Sequence, residues 1–238
     1  VMLNAYGIGG RVVAGFCGII IMMITLTGFG IMQVKSIDSG LSTVSDVNSV
    51  KQRYAINFRG SVHDRAISLR DVVLMDGAST MQDNVKDIAV LAQQYAASAV
   101  KLDAMLAGNG ASAEETRILD SIKATEARTM PMVAAIVAKR QSGDTEGAKA
   151  QLVSEARPAF VGWLARINQF IDHQEAKNQA LTAETRRMTA HFQMLMLGLC
   201  AMAMLVGVAL AFWSIASIRR LNPVVTRMRE MADGNLDG

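Results

Sequence analysis

Two long stretches of the chain carry no charge: one between Arg11 and Lys35, the other from Phe192 to Ile218. About 20 apolar residues suffice to cross a hydrocarbon core, so the pattern predicts membrane-spanning helices over 12–34 and 192–218. The first is longer than the apolar core of a secretory signal peptide, and no convincing cleavage site precedes Lys35. It therefore reads as a retained anchor. Trp213 lies near the end of the second run, where an amphipathic indole prefers the headgroup level.

The middle, 35–191, has a different rhythm. It shows no strand alternation, and turn signals break it at Asp76-Gly77-Ala78-Ser79, at Gly108-Asn109-Gly110 and at Ser142-Gly143-Asp144. Ser112 followed by Glu115 is a capping-box pattern opening the third of the four resulting segments. Each segment carries a seam of alternating 3 and 4 spacing. The first holds Phe58, Val62, Arg65, Leu69 and Val72; the second runs from Met81 through Tyr95 to Leu106. The third holds Ile118, Ile122, Thr125, Thr129, Met132 and Ile136; the fourth runs from Phe160 through Ile167, Ile171 and Gln174 to Met188 and Phe192. Short turns force antiparallel neighbours. The expected fold is all-α: an up-down-up-down four-helix bundle whose outer helices run on into the two spans.

Composition narrows the function. Aromatics are 5% and prolines only 3, which favours helix. A net charge of +3, with no basic patch interleaved with aromatics, gives no case for a nucleic-acid partner. Cys17 and Cys200 fall inside the apolar runs, so the middle has no disulfide of its own. No HExxH, P-loop or GxSxG occurs, and His63, His173 and His191 are too far apart to form a motif. No catalytic residue, metal site or cofactor is expected. Asp172 with Glu175, and Glu114 with Glu115, read as solvated helix faces. Two spans put both chain ends on one side. The flanks Arg11, Arg219, Arg220, Arg227 and Arg229, against Lys35, Arg186 and Arg187, favour ends inside and the long middle outside. The expected layout is a cytoplasmic N-terminus at 1–11, an outer domain at 35–191, and a cytoplasmic segment at 219–238.

In that last segment Pro223 reads as a helix start. Leu221, Val224, Met228 and Met231 form a seam, and Gly234 ends it. Pro223, this seam and Gly234-Asn235-Leu236 resemble the first helix and early connector of a HAMP domain, the dimeric signal-converting module of bacterial receptors. The chain as a whole resembles the front half of a methyl-accepting chemotaxis receptor. The order of elements carries this, with Tyr6-Gly7-Ile8-Gly9-Gly10-Arg11, Leu69-Arg70-Asp71-Val72-Val73-Leu74, and Gly143-Asp144 with Ala148 and Pro158. The resemblance implies a homodimeric multi-pass receptor of the bacterial inner membrane with a periplasmic sensor domain. Signals would pass through Trp213, Pro223 and Gly234 towards a cytoplasmic kinase and adaptor, by way of a domain downstream of Gly238.

Arg65 is the anomaly, a charge in a seam between Val62 and Leu69. It needs an anion or the edge of a water-filled cleft. Arg59, His63 and Arg70 form a basic stripe beside it. Arg65 lies about 30 residues above the membrane end of its helix, roughly 45 Å at the α-helical rise. Thr129 and residues 157–161 come to a similar level. Arg65, Arg70, Thr129, Arg128 and Arg157 would thus ring one cleft for a small anionic ligand, such as a di- or tricarboxylate. Two alternatives stay open for Arg65: pairing with a carboxylate such as Asp64 or Glu126 of a partner, or snorkelling to water. At the level of function, the alternatives are the sensor front of a histidine kinase or cyclic-dinucleotide enzyme, and a bundle that binds a periplasmic protein.

Overall fold

A computed structural model describes residues 8–107 and 111–219 of the chain. Helix α1 covers residues 8–74, with a π-helical turn at Thr43–Asn48. Helix α2 is Ala78–Ala107 and α3 is Ala113–Gln141. Helix α4 covers residues 145–219, with a second π-helical turn at Leu152–Ala156. No strand occurs among the described residues. The expected turn at Gly108–Gly110, the HAMP-like segment, and Pro223 and Gly234 lie outside them.

Chain signals and helix ends agree where both are described. Gly77 and Gly143 take φ of +116° and +88°, a region glycine enters without a Cβ penalty, and each sits in an expected turn. Ser112 Oγ accepts from the Glu115 backbone N–H, and Glu115 Oε2 accepts from the Ser112 N–H, completing the capping box. The C-terminus of α1 has an unforeseen cap. Arg140 donates to the carbonyls of Val72 and Met75 and to Thr145 Oγ1, fastening the top of α1 to the α3–α4 turn.

Residues 40–183 form one compact unit, the four-helix bundle. All five α1 seam positions are buried, Arg65 among them. On α3, Ile118, Ile122, Thr125, Thr129 and Ile136 are buried. On α4, Phe160, Ile167, Ile171 and Gln174 are buried, but so are Trp163 and Phe170, which a single seam leaves out. The apolar stripe of α4 is therefore wider than two positions per heptad, as expected of a helix facing two neighbours.

The second unit comprises Val1–Ser39 and Glu184–Gly238. Its two helical runs are long and apolar enough to cross a membrane. Phe16, Ile21, Met194, Leu205 and Phe212 are among the many side chains more than 60% exposed there. Apolar surface on that scale needs lipid or protein to cover it. Cys17 and Cys200 are free thiols on these runs.

Candidate functional site

Three places in the bundle collect the chemistry. The first is the core around Arg65, whose side chain is 1% exposed. Its guanidinium lies 4.8 Å from the Trp163 ring centroid and 5.0 Å from that of Tyr95. Nε donates to the Ser61 carbonyl at 3.4 Å and Nη1 approaches the Met130 sulfur at 3.2 Å, while Nη2 has no hydrogen-bond partner among the described residues. Two aromatic faces stabilise a desolvated cation by roughly 2 kcal/mol or more. Burial lowers the Arg65 pKa, opposed by the charge of Glu126 and by Tyr95. Burial also raises the Tyr95 hydroxyl and the half-buried Glu126 carboxyl, whose hydrogen bond with Tyr95 works against that rise. Arg65 thus meets its aromatic and acidic neighbours inside a single bundle.

The second place is a groove of about 380 Å³ between α1 and α4. Its floor is Ala66, Ile67, Leu152, Phe160, Val161 and Leu164; its polar lining is His63, Arg70, Lys149 and Arg157. Among the described residues no carboxylate lines it. Arg70 is held by Asp71 at 2.8 Å and His63 by Asp64 at 3.2 Å. Among the described residues Lys149 and Arg157 have no ion-pair partner, so two cations face the groove uncompensated.

The third place is a smaller groove of about 260 Å³ between α3 and α4, lined by Thr125, Arg128, Thr129, Met132, Pro158 and Arg166 among others. Both threonine hydroxyls donate within their own helix, Thr129 to the Thr125 carbonyl and Thr125 to that of Ser121, each at 2.8 Å. Arg128 donates to the Ala124 carbonyl at 3.3 Å.

The five residues expected around one cleft are therefore distributed over three sites. Arg65 is in the core, Arg70 and Arg157 share the α1–α4 groove, and Arg128 and Thr129 share the α3–α4 groove. Sequence reasoning missed Lys149, on the far side of a π-helical turn from Arg157. It also missed Trp163, the largest fully buried side chain.

One expectation is corrected outright. Glu115 is fully buried, not on a solvated face. Its Oε1 accepts from Gln174 Nε2 at 2.6 Å, Lys51 Nζ at 3.1 Å and Lys177 Nζ at 3.2 Å. Burial pushes this carboxyl up, but the donors from Ser112, Gln174, Lys51 and Lys177 outweigh it and hold it at about 2. Lys51 is 1% exposed. The cluster ties α1, α3 and α4 together at the end of the bundle from which α1 and α4 continue into the apolar runs. Asp172 and Glu175 are exposed, as expected.

The fold and these sites define a class: a helical bundle with two helices long and apolar enough to cross a membrane, whose polar features are surface grooves and a buried ion cluster. Residues 5–189 match the family described as the four helix bundle sensory module for signal transduction. The chain belongs to that family. No curated protein matches the chain.

Proposed function

We propose that the chain is the front of a transmembrane chemoreceptor that senses a small anionic organic compound, a di- or tricarboxylate, in the periplasm. Its entry point is the α1–α4 groove. The observation that carries this reading is that, among the described residues, Lys149 and Arg157 have no ion-pair partner and stand beside Arg70 and His63 over an apolar floor that no carboxylate lines. Arginine takes a carboxylate through two parallel hydrogen bonds, and the apolar floor receives the carbon skeleton.

The groove lies between the two helices that continue into the spans. From Arg157 to Arg219, α4 is one unbroken α-helix, whereas α1 has a π-helical turn at Thr43–Asn48. This asymmetry supports a route through α4. An anion drawing Arg157 towards Arg70 favours one setting of α4 against α1, and the span passes it on towards Trp213 and the HAMP-like segment. Ligand shifts that balance only by its difference in affinity for the two settings. Exposed Ile67, Leu74, Val153 and Val161 on or beside the groove fit closure by a second copy in a homodimer.

Thermal melting of the full chain in detergent, against mono-, di- and tricarboxylates, tests this. A bound acid at about 100 times its Kd adds roughly 2.7 kcal/mol. We expect a rise of several degrees with a polycarboxylate and little with acetate. No rise with any acid would sink the reading.

A further inference from the structure

A third groove, separate from the two in the bundle, lies within the unit formed by the two apolar runs. It has a volume of about 290 Å³ and is lined by Phe29 and Gln33 from α1 and by Glu184, Arg187, Met188, His191, Phe192 and Leu195 from α4. Its polarity is graded along the helices. Glu184, Arg187 and His191 come first on α4, just before the uncharged run; Phe192 and Leu195 are inside that run. Across from them Gln33 and Phe29 repeat the order, polar then apolar, on the antiparallel helix α1. Ser36 Oγ meets the Met188 sulfur at 4.0 Å, and the Phe29 and Phe192 rings approach to 6.1 Å, which fixes the two walls. Among the described residues the side chains of Glu184, Arg187 and His191 have neither an ion pair nor a hydrogen bond, although they stand on one face of one helix turn after turn.

A groove that is charged at one end and apolar at the other, at the depth where an apolar run begins, matches the polarity gradient of a lipid leaflet. We propose that it holds one phospholipid molecule. The phosphate sits at Arg187 and His191, and an acyl chain lies along Phe29, Phe192 and Leu195. Glu184, one turn farther from the apolar run, selects a headgroup bearing a primary amine outside its phosphate, as in phosphatidylethanolamine. Arginine supplies paired donors to phosphate oxygens, and a carboxylate accepts from an ammonium, so the acid and base on this face each have a partner in one zwitterionic headgroup. The site is independent of the carboxylate groove: it uses none of the same residues and stands whether or not the bundle binds an acid.

The test is native mass spectrometry of the full chain released from nanodiscs of mixed dioleoyl phosphatidylethanolamine and phosphatidylglycerol. The wild-type chain is expected to retain phosphatidylethanolamine in preference to phosphatidylglycerol. Arg187→Ala with His191→Ala should lower the retained lipid roughly tenfold, the loss expected for charge-assisted hydrogen bonds to phosphate. Glu184→Gln should erase the preference while phosphatidylglycerol is still retained. Arg186→Ala, outside the lining, should change neither, and circular dichroism of each variant checks that the helices remain. Excess glycerophosphoethanolamine, a headgroup without chains, should not displace the lipid; displacement would show a headgroup site and overturn the lipid assignment. Equal retention in the double variant would overturn the proposal. So would efficient dimer cross-linking through Gln33→Cys, in a chain whose Cys17 and Cys200 are replaced by Ser, because a second copy would then fill the groove.

Discussion

Arg65 shows how a single residue can be placed by reasoning along the chain and still be misjudged across it. The rise per residue set its level against Thr129 and the start of α4, and the side chain does meet Met130 and Trp163. Level along a helix follows from counting; direction around it depends on partners far away in sequence. Arg128, one residue from Thr129, is turned to the outside for that reason. The aromatic neighbours of Arg65 make it a packing residue whose charge is costly, with Nη2 unsatisfied among the described residues. Removing a charged partner and filling its volume differ sharply in such settings. Arg65→Ala should cost about 2–4 kcal/mol by leaving a cavity between Tyr95 and Trp163. Arg65→Met should cost less than about 1 kcal/mol. Urea denaturation of the two variants checks this, and equal losses would mean that the charge itself holds the bundle together.

At the scale of elements, the helices and their ends were legible. Capping box, turn glycines and seams are local signals, and burial follows them on all four helices. The missed features are the ones that join elements. Glu115 was legible as a cap, through Ser112 three residues away, but its other oxygen is held by Lys51, 64 positions away. Trp163 and Phe170 sit one residue before Leu164 and Ile171, so a seam drawn through the latter passes them by.

Two predictions belong to this scale. Glu115 has a folded pKa of about 2 against an ordinary 4.5, so its contribution is complete above pH 4.5 and is lost as pH falls towards 2. That contribution is roughly 3 kcal/mol. Melting temperatures measured as pH falls from about 6 through 4.5 should fall more steeply for the native chain than for Glu115→Gln; parallel curves would contradict the assignment. Pro131 lies inside α3 and is exposed, and its missing N–H leaves the Ala127 carbonyl without its usual donor. Pro131→Ala should therefore raise stability by about 1 kcal/mol or more, read as a higher denaturation midpoint with an unchanged slope.

At the scale of the molecule, membership in a sensory family and two apolar helices leave the input as the open chemistry. The two grooves in the bundle make rival predictions, because each contains two of the residues expected around a single cleft. Arg157 and Lys149 have no ion-pair partner among the described residues and stand beside an apolar floor. Arg128 leans on its own helix, and Thr129 is fully buried with its hydroxyl donated. Losing one charge-assisted hydrogen bond costs about 1.5–3 kcal/mol, or roughly 10- to 100-fold in affinity. The direct measurement is isothermal titration calorimetry of the acid that most raises the melting temperature. It is titrated into the full chain and into its Lys149→Ala/Arg157→Ala and Arg128→Ala variants. A sensor working through the α1–α4 groove loses binding in the first variant and keeps it in the second. Binding that survives the first and disappears in the second would contradict it.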